Sequence, residues 1–270
     1  MGIVKAISKD EKIRVCYVDV LEAVTAICDI HAMPFANRQL FAEVALNTVL
    51  LSADIKSDSE TTCLVLNAPK PFFGTVVVCN AEGNIKGYST AECLLEYDYA
   101  KDLSGKAQLN VIRDPGMKVA YNAAAKVCGS SFADCLTEYM RESQQQPSLV
   151  FERCQQGEIC RGLLIQPVLN GEFGEVDQEK DALKAMAEKL FSDLEEPGRV
   201  FSEFGFYITE QKPIKAECDC SREKTDQVVI SLGKQEAQAI LDEMGTVEVN
   251  CPYCEKKYQY NREQVNQLFS

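Results

Sequence analysis

Short apolar runs punctuated by turn residues open the chain, and their spacing alternates between strand and helix. Residues 3–7 and 13–18 are rich in β-branched and apolar side chains and predict two strands. Apolar positions then move to helical spacing, predicting helices over 20–28 and 37–53. In the second of these Leu40, Val44, Leu46, Leu50 and Leu51 form a broad stripe. A polar turn at 57–60 precedes a strand over 61–66, and the proline-bearing turn 67–71 leads to another over 73–79. Residues 80–84 read as a hairpin connection into 85–88. A further strand over 107–113 ends at Asp114-Pro115-Gly116 and is followed by a short apolar run at 119–121. Residues 131–143 predict a helix with Phe132, Leu136, Tyr139 and Met140 on one side, capped by Ser131 with Asp134 in the capping-box position. Strands over 149–153 and 159–168 join through Gln155-Gln156-Gly157. The result is an α+β domain over 1–170, with hairpins outnumbering strand–helix–strand units.

From Asn170 the texture changes. Residues 171–181 are acidic, glycine-rich and poor in large apolar side chains. An amphipathic helix is predicted over 182–194, carrying Leu183, Met186, Ala187, Leu190 and Phe191, with Glu195-Glu196-Pro197-Gly198 as its end. A second apolar patch, Phe201, Phe204, Phe206, Tyr207 and Ile208, follows. Residues 171–215 therefore read as a partly helical linker, either a stable bridge or a conditionally folded one. A small module over 216–270 completes the chain. Ser221 caps a helix from Arg222; a helix over 234–244 stops at Gly245; Asn261 caps 262–268, with Gln264 completing a capping box.

Composition narrows the possible roles. The apolar fraction of 46% and charged fraction of 26% are those of an ordinary globular protein. A formal charge of −13, without any Lys/Arg run, argues against nonspecific nucleic-acid binding. No apolar stretch is long enough for a membrane span or a secretory leader, so a cytoplasmic protein with no membrane partner is expected. Of thirteen cysteines, those at 16, 28, 63, 79, 93, 128, 135, 154 and 160 show no metal-ligand spacing. Scattered thiols in apolar settings fit a reducing compartment better than a disulfide framework.

The other four do show such spacing. Cys218-Asp219-Cys220, then thirty residues, then Cys251-Pro252-Tyr253-Cys254 offers four sulfur ligands, the donor set of a closed tetrahedral zinc site. A module this small gains much of its folding free energy from the metal. Cysteines two or three residues apart also form strained, readily reduced disulfides, and oxidation would expel the ion. Structural zinc, redox-responsive zinc, and an iron–sulfur or purely dithiol site all remain open on spacing alone.

The segment Cys218-Asp-Cys-Ser-Arg-Glu-Lys, with Ile240-Leu-Asp-Glu-Met-Gly245 and Val249-Asn-Cys-Pro-Tyr-Cys-Glu-Lys-Lys-Tyr-Gln-Tyr-Asn261, resembles the zinc domain of the Hsp33 family of redox-regulated chaperones. Tyr139-Met-Arg-Glu-Ser-Gln-Gln-Gln-Pro147, Gly162-Leu-Leu-Ile-Gln-Pro167 and residues 42–56 also look like family segments, while 113–129 fits less well. Near Tyr121 the sequence has Asn122-Ala123-Ala124 where the family tends to have glycines. The resemblance implies an ATP-independent holdase, not an enzyme, with no catalytic residue and no organic cofactor. It implies one Zn2+ held by Cys218, Cys220, Cys251 and Cys254 when reduced. Oxidation would release the ion, pair Cys218 with Cys220 and Cys251 with Cys254, unfold the linker and expose surface for unfolding client proteins, with a homodimer as the active form.

Two other classes compete. A metabolic enzyme would need a catalytic constellation, but the sole histidine, His31, sits at a predicted helix end, where a turn residue is expected. Neither GxGxxG, a Walker loop, GxSxG nor HExxH occurs. A zinc-ribbon nucleic-acid binder would use Arg222, Lys224, Lys256, Lys257 and Arg262 with stacking by Tyr253, Tyr258 and Tyr260. Nearby Glu217, Asp219, Glu223, Asp226 and Glu255 offset that charge, and the tyrosines suit a small aromatic core.

Overall fold

The computed structural model describes residues 2–55, 57–92, 98–116, 119–155, 157–168, 176, 179–192 and 196–269. Cys93, Gln156, most of the acidic run at 171–181 and the expected helix end at Leu194 lie outside the described residues. The chain divides into two compact units, Met1–Ala216 and Glu217–Ser270.

The first unit is α+β and is organised by alternation within three strands. β1 (Gly2–Ser8), β2 (Ile13–Asp19) and β9 (Ile159–Pro167) lie inside a five-stranded antiparallel sheet of order β10-β1-β2-β9-β8, where β8 is Leu149–Gln155 and β10 is Phe206–Pro213. Successive side chains on a strand point to opposite faces. Ile3, Cys16, Val18, Cys160 and Leu164 therefore enter one core, and Val4, Ala6, Val15, Tyr17, Leu163 and Ile165 enter another.

The first core is centred on α2 (Phe35–Leu51), which is apolar nearly all round and buried along most of its length. It packs with α1 (Leu21–Ile30) and α3 (Phe132–Ser143), and also against a second sheet of order β11-β5-β4-β3-β6-β7. That sheet comprises β3 (Thr61–Asn67), β4 (Gly74–Asn80), β5 (Asn84–Ser89), β6 (Gln108–Asp114), β7 (Tyr121–Lys126) and β11 (Lys215–Ala216). Two glycines permit the close fit of α2. A Cβ on Gly87 would lie 2.9 Å from the Phe41 ring, and one on Gly162 would lie 2.9 Å from Leu50 Cδ1 and 3.2 Å from Leu46 Cδ1.

The second core covers the opposite face of the first sheet. α4 (Lys180–Leu190) contributes Leu183, Met186, Ala187 and Leu190, α5 (Pro197–Glu203) contributes Val200 and Phe201, and β10 contributes Phe206. β10 pairs along the whole of β1, with a bulge between Lys5 and Ala6. Pro197 was expected to close a helix; instead it opens α5, because proline's fixed φ and missing N–H suit the first helical turn. β7 and β10 also depart from the sequence pattern; β10 forms a strand where only an apolar patch was expected. For β7 the cause is composition. Its exposed, alanine-rich residues carry little strand signal, and it is held by pairing with β6.

The Glu217–Ser270 unit has helices α6 (Arg222–Leu232), α7 (Lys234–Met244) and α8 (Arg262–Leu268) and a hairpin of β12 (Val247–Asn250) with β13 (Lys257–Tyr260). Ser221 accepts the Lys224 N–H as N-cap, Gly245 adopts φ 79° at the end of α7, and Asn261 and Gln264 form both halves of a capping box. The core is Val229, Ala237, Leu241, Val247, Tyr258, Tyr260 and Val265.

Candidate metal centre

Cys218 and Cys220 lie in the extended segment before α6, and Cys251 and Cys254 lie in the turn between β12 and β13. The turn closes through Glu255 N–H donating to the Cys251 carbonyl at 2.9 Å and Cys251 N–H donating to the Lys256 carbonyl at 3.0 Å. Glu255 adopts φ 57°, a left-handed conformation unusual for a residue with a Cβ, and this reverses the chain sharply enough to aim both sulfurs inward.

All four Sγ atoms fall within 4.8 Å of one another. Cys218 and Cys251 Sγ are 3.6 Å apart, and Cys220 and Cys254 Sγ are 3.4 Å apart. A tetrahedral ion with Zn–S bonds of about 2.3 Å separates its sulfurs by about 3.8 Å, so the four positions fit one zinc ion with little adjustment. The protonation of the cluster supports that fit. Burial pushes the Cys218 and Cys254 thiols up. At Cys220 burial acts in the same direction, but hydrogen bonds from the Tyr258 hydroxyl and the neighbouring thiols outweigh it and bring the thiol down to about 7. Cys220 also directly precedes the N-cap of α6, where the helix dipole favours negative charge. Crowded sulfurs cannot all ionise without a cation, and a divalent ion supplies that charge while holding the two halves of the module together.

Two contacts around the sulfurs were not legible from spacing. The Tyr258 hydroxyl donates to Cys220 Sγ at 3.2 Å, and Lys224 forms an ion pair with Asp219 between the first two cysteines. The pattern of Tyr258 and Tyr260 alternating with polar residues predicts their burial but not the sulfur contact. Tyr260 is fully buried, with its hydroxyl 2.6 Å from Thr225 Oγ1 and the Arg222 guanidinium 3.6 Å over its ring. Tyr258 and Tyr260 are thus core residues rather than a stacking platform. Lys257 is paired with Glu248 and Arg262 with Asp242, so these basic side chains form no continuous positive stripe. His31 belongs to the Met1–Ala216 unit, and its Nε2 lies 3.1 Å from the Gly87 carbonyl, tying α1 to β5. No helix among the described residues is long and apolar enough to cross a membrane.

The family model described as Hsp33 protein matches residues 2–261. A 33 kDa chaperonin of Hahella chejuensis is 30% identical over 254 residues, covering 88% of this chain and 86% of its own. One from Pseudomonas putida KT2440 is 27% identical over 278 residues, covering 97% of this chain and 91% of its own. The crystal structure of the Thermotoga maritima 33 kDa chaperonin superposes with a TM-score of 0.81 at 23% identity, covering 98% of this chain and 96% of that one, and establishes the shared fold. With its four sulfurs converging in the matched region, the chain belongs to the Hsp33 family of chaperones.

Proposed function

We propose that this protein is a redox-regulated, ATP-independent holdase whose switch is the convergence of Cys218, Cys220, Cys251 and Cys254. That convergence is the observation carrying the proposal. Bound zinc would supply a charge that neutralises the thiolates and cross-links the small module. The sulfurs are mutually close, so proximity does not select a pairing. With the ion gone, Cys218–Cys220 and Cys251–Cys254 each require only a short local closure, as the family resemblance implies.

The output would come from residues 171–215. The described helices α4 and α5 span eleven and seven residues, lengths at which isolated helices are marginal, so their order depends on packing against the sheet. Releasing them would uncover Val4, Ala6, Val15, Tyr17, Leu163 and Ile165, an apolar surface suited to unfolding client chains. A homodimer is the proposed active form.

The test is to titrate the reduced, zinc-loaded protein with peroxide while following zinc release, free thiols and suppression of client aggregation together. The expected result is that protection rises in step with zinc release. Full protection with zinc still bound, or complete oxidation of the four cysteines with no gain in protection, would overturn the reading.

A further inference from the structure

Nine cysteines lie outside the metal centre, and two of them face each other across the β8–β9 hairpin. Cys154 and Cys160 are register partners, and their Sγ atoms are 2.7 Å apart, closer than the 3.4 and 3.6 Å contacts of the metal centre. The Cys160 carbonyl accepts the Val20 N–H at 3.0 Å, and the Cys154 carbonyl accepts Gln39 Nε2 at 2.8 Å. Both carbonyls therefore turn away from the ladder the two residues share. This is the non-hydrogen-bonded type of antiparallel pair, where Cα atoms approach to about 4.5 Å, inside the span of about 4.4–6.8 Å that a disulfide bridges.

The pair also has an approach. A cavity of about 60 Å³ is lined by Cys28, Cys154 and Cys160 together with Val24, Arg38 and Gly157. A water needs roughly 10–15 Å³ of such space, so a molecule the size of hydrogen peroxide fits beside the sulfurs. Among the described residues the C-terminal cysteines are the group of ligating side chains placed to hold an ion, which leaves Cys154 and Cys160 with thiol chemistry.

We propose that Cys154 and Cys160 form a second, metal-free redox site that closes to an intramolecular disulfide when peroxide enters this cavity. Cys154, the less buried of the two, attacks first. Its sulfur bonds to one peroxide oxygen, the O–O bond breaks, and the departing hydroxide leaves as water with the thiol's proton. Cys160 sulfur then attacks the sulfenic sulfur, the S–S bond forms, the S–O bond breaks, and a second water leaves with the Cys160 proton. Two thiols have lost two electrons and two protons, and one peroxide has become two waters. The hydrogen bond with Cys160, together with burial, holds the Cys154 thiol well above its usual range, and burial does the same at Cys160. Thiolate is therefore scarce, and the site answers to sustained or high peroxide rather than to its first appearance. The pair lies in the Met1–Ala216 unit and its chemistry is independent of the zinc-switch reading.

The sequence provides a clean assay. Arg153 and Arg161 flank the pair, so trypsin releases residues 154–161 with both cysteines and no others. Full-length, zinc-loaded protein is exposed to graded peroxide, quenched, denatured, blocked with iodoacetamide, digested and analysed by mass spectrometry. The expected product is a 154–161 peptide without label and two hydrogens lighter than the reduced form, with both labels restored when dithiothreitol precedes blocking. Retention of both labels after the four C-terminal cysteines are fully oxidised would overturn the proposal. So would sulfinic acid at Cys154, or a bridge from Cys160 to the peptide bearing Cys28. In Cys160→Ser, dimedone capture at Cys154 should rise several-fold, and an unchanged yield counts against the proposal. Should that variant fail to fold, Cys154→Ser replaces it: loss of label at Cys160 should then slow several-fold, and an unchanged rate would refute the pairing.

Discussion

Replacing Tyr258 by Phe separates the metal centre's hydrogen bonding from its packing. The Tyr258 ring is 6% exposed and belongs to the core of the small unit, and phenylalanine preserves that burial. What disappears is the hydroxyl donating to Cys220 Sγ at 3.2 Å. A hydrogen bond to a charged acceptor is worth about 1.5–3 kcal/mol, and Cys220 is the thiol whose surroundings most favour its anion. Converted at about 1.4 kcal/mol per tenfold, the loss corresponds to a roughly 10–100-fold weaker hold on zinc, the range typical of groups that orient metal ligands. Competition with a chromophoric chelator measures this directly. The same variant should release zinc at lower peroxide, because a thiolate stripped of its donor is both a weaker-held ligand and a better nucleophile. A zinc Kd within twofold of the parent, with unaltered thermal unfolding of the loaded protein, would refute the role assigned to the hydroxyl.

Three further outcomes are expected. Chelating the metal under reducing conditions should unfold the Glu217–Ser270 unit, whose core is a few side chains, with a fall in helical circular dichroism while the first unit's amide protection persists. Gly162→Ala should destabilise the first unit. Overpacking against Leu46 and Leu50 costs about 1–3 kcal/mol, partly offset by about 0.4–1 kcal/mol from a less flexible unfolded chain, so the melting temperature should fall, by up to roughly 10 °C. Glu152 is half-buried, with Oε1 accepting the Ala133 N–H and Oε2 accepting Asn47 Nδ2, and desolvation raises its carboxyl above the ordinary value of 4.5. The unfolded chain ionises first as pH rises, so this group's penalty is absent below about 4.5 and grows until the folded carboxyl also ionises. Thermal unfolding of Glu152→Gln should therefore gain on the parent as pH rises above about 4.5, and a constant difference would contradict the assignment.

Periodicity and turn chemistry made much of this architecture legible. The strand pairs before Ser89, the central helix α2, and the caps at Ser131, Ser221 and Asn261 all rest on local signals that the fold respects. Elements that sequence missed, β7, α5 and β10 among them, rest on tertiary support, β10 through its pairing with β1. β7 borrows its conformation from β6, and α5 begins at a proline whose neighbours also suit a helix end. At the metal centre, spacing identified the sulfurs because ligand geometry constrains short-range sequence. It did not identify the Tyr258 hydroxyl or the Cys154–Cys160 pairing, since each depends on register between strands. Cys154 and Cys160 read singly as apolar-context thiols, and only the hairpin brings them opposite each other.

The division of β1, β2 and β9 between two cores also has an entropic consequence. These strands are fixed from behind by α2 and the second sheet, through side chains that do not touch α4 or α5. In the proposed switch, peeling away the outer helices would leave the uncovered face already paired and in register. An unfolding client would then dock on a preorganised surface, and the ordering cost would fall on the client rather than on the chaperone.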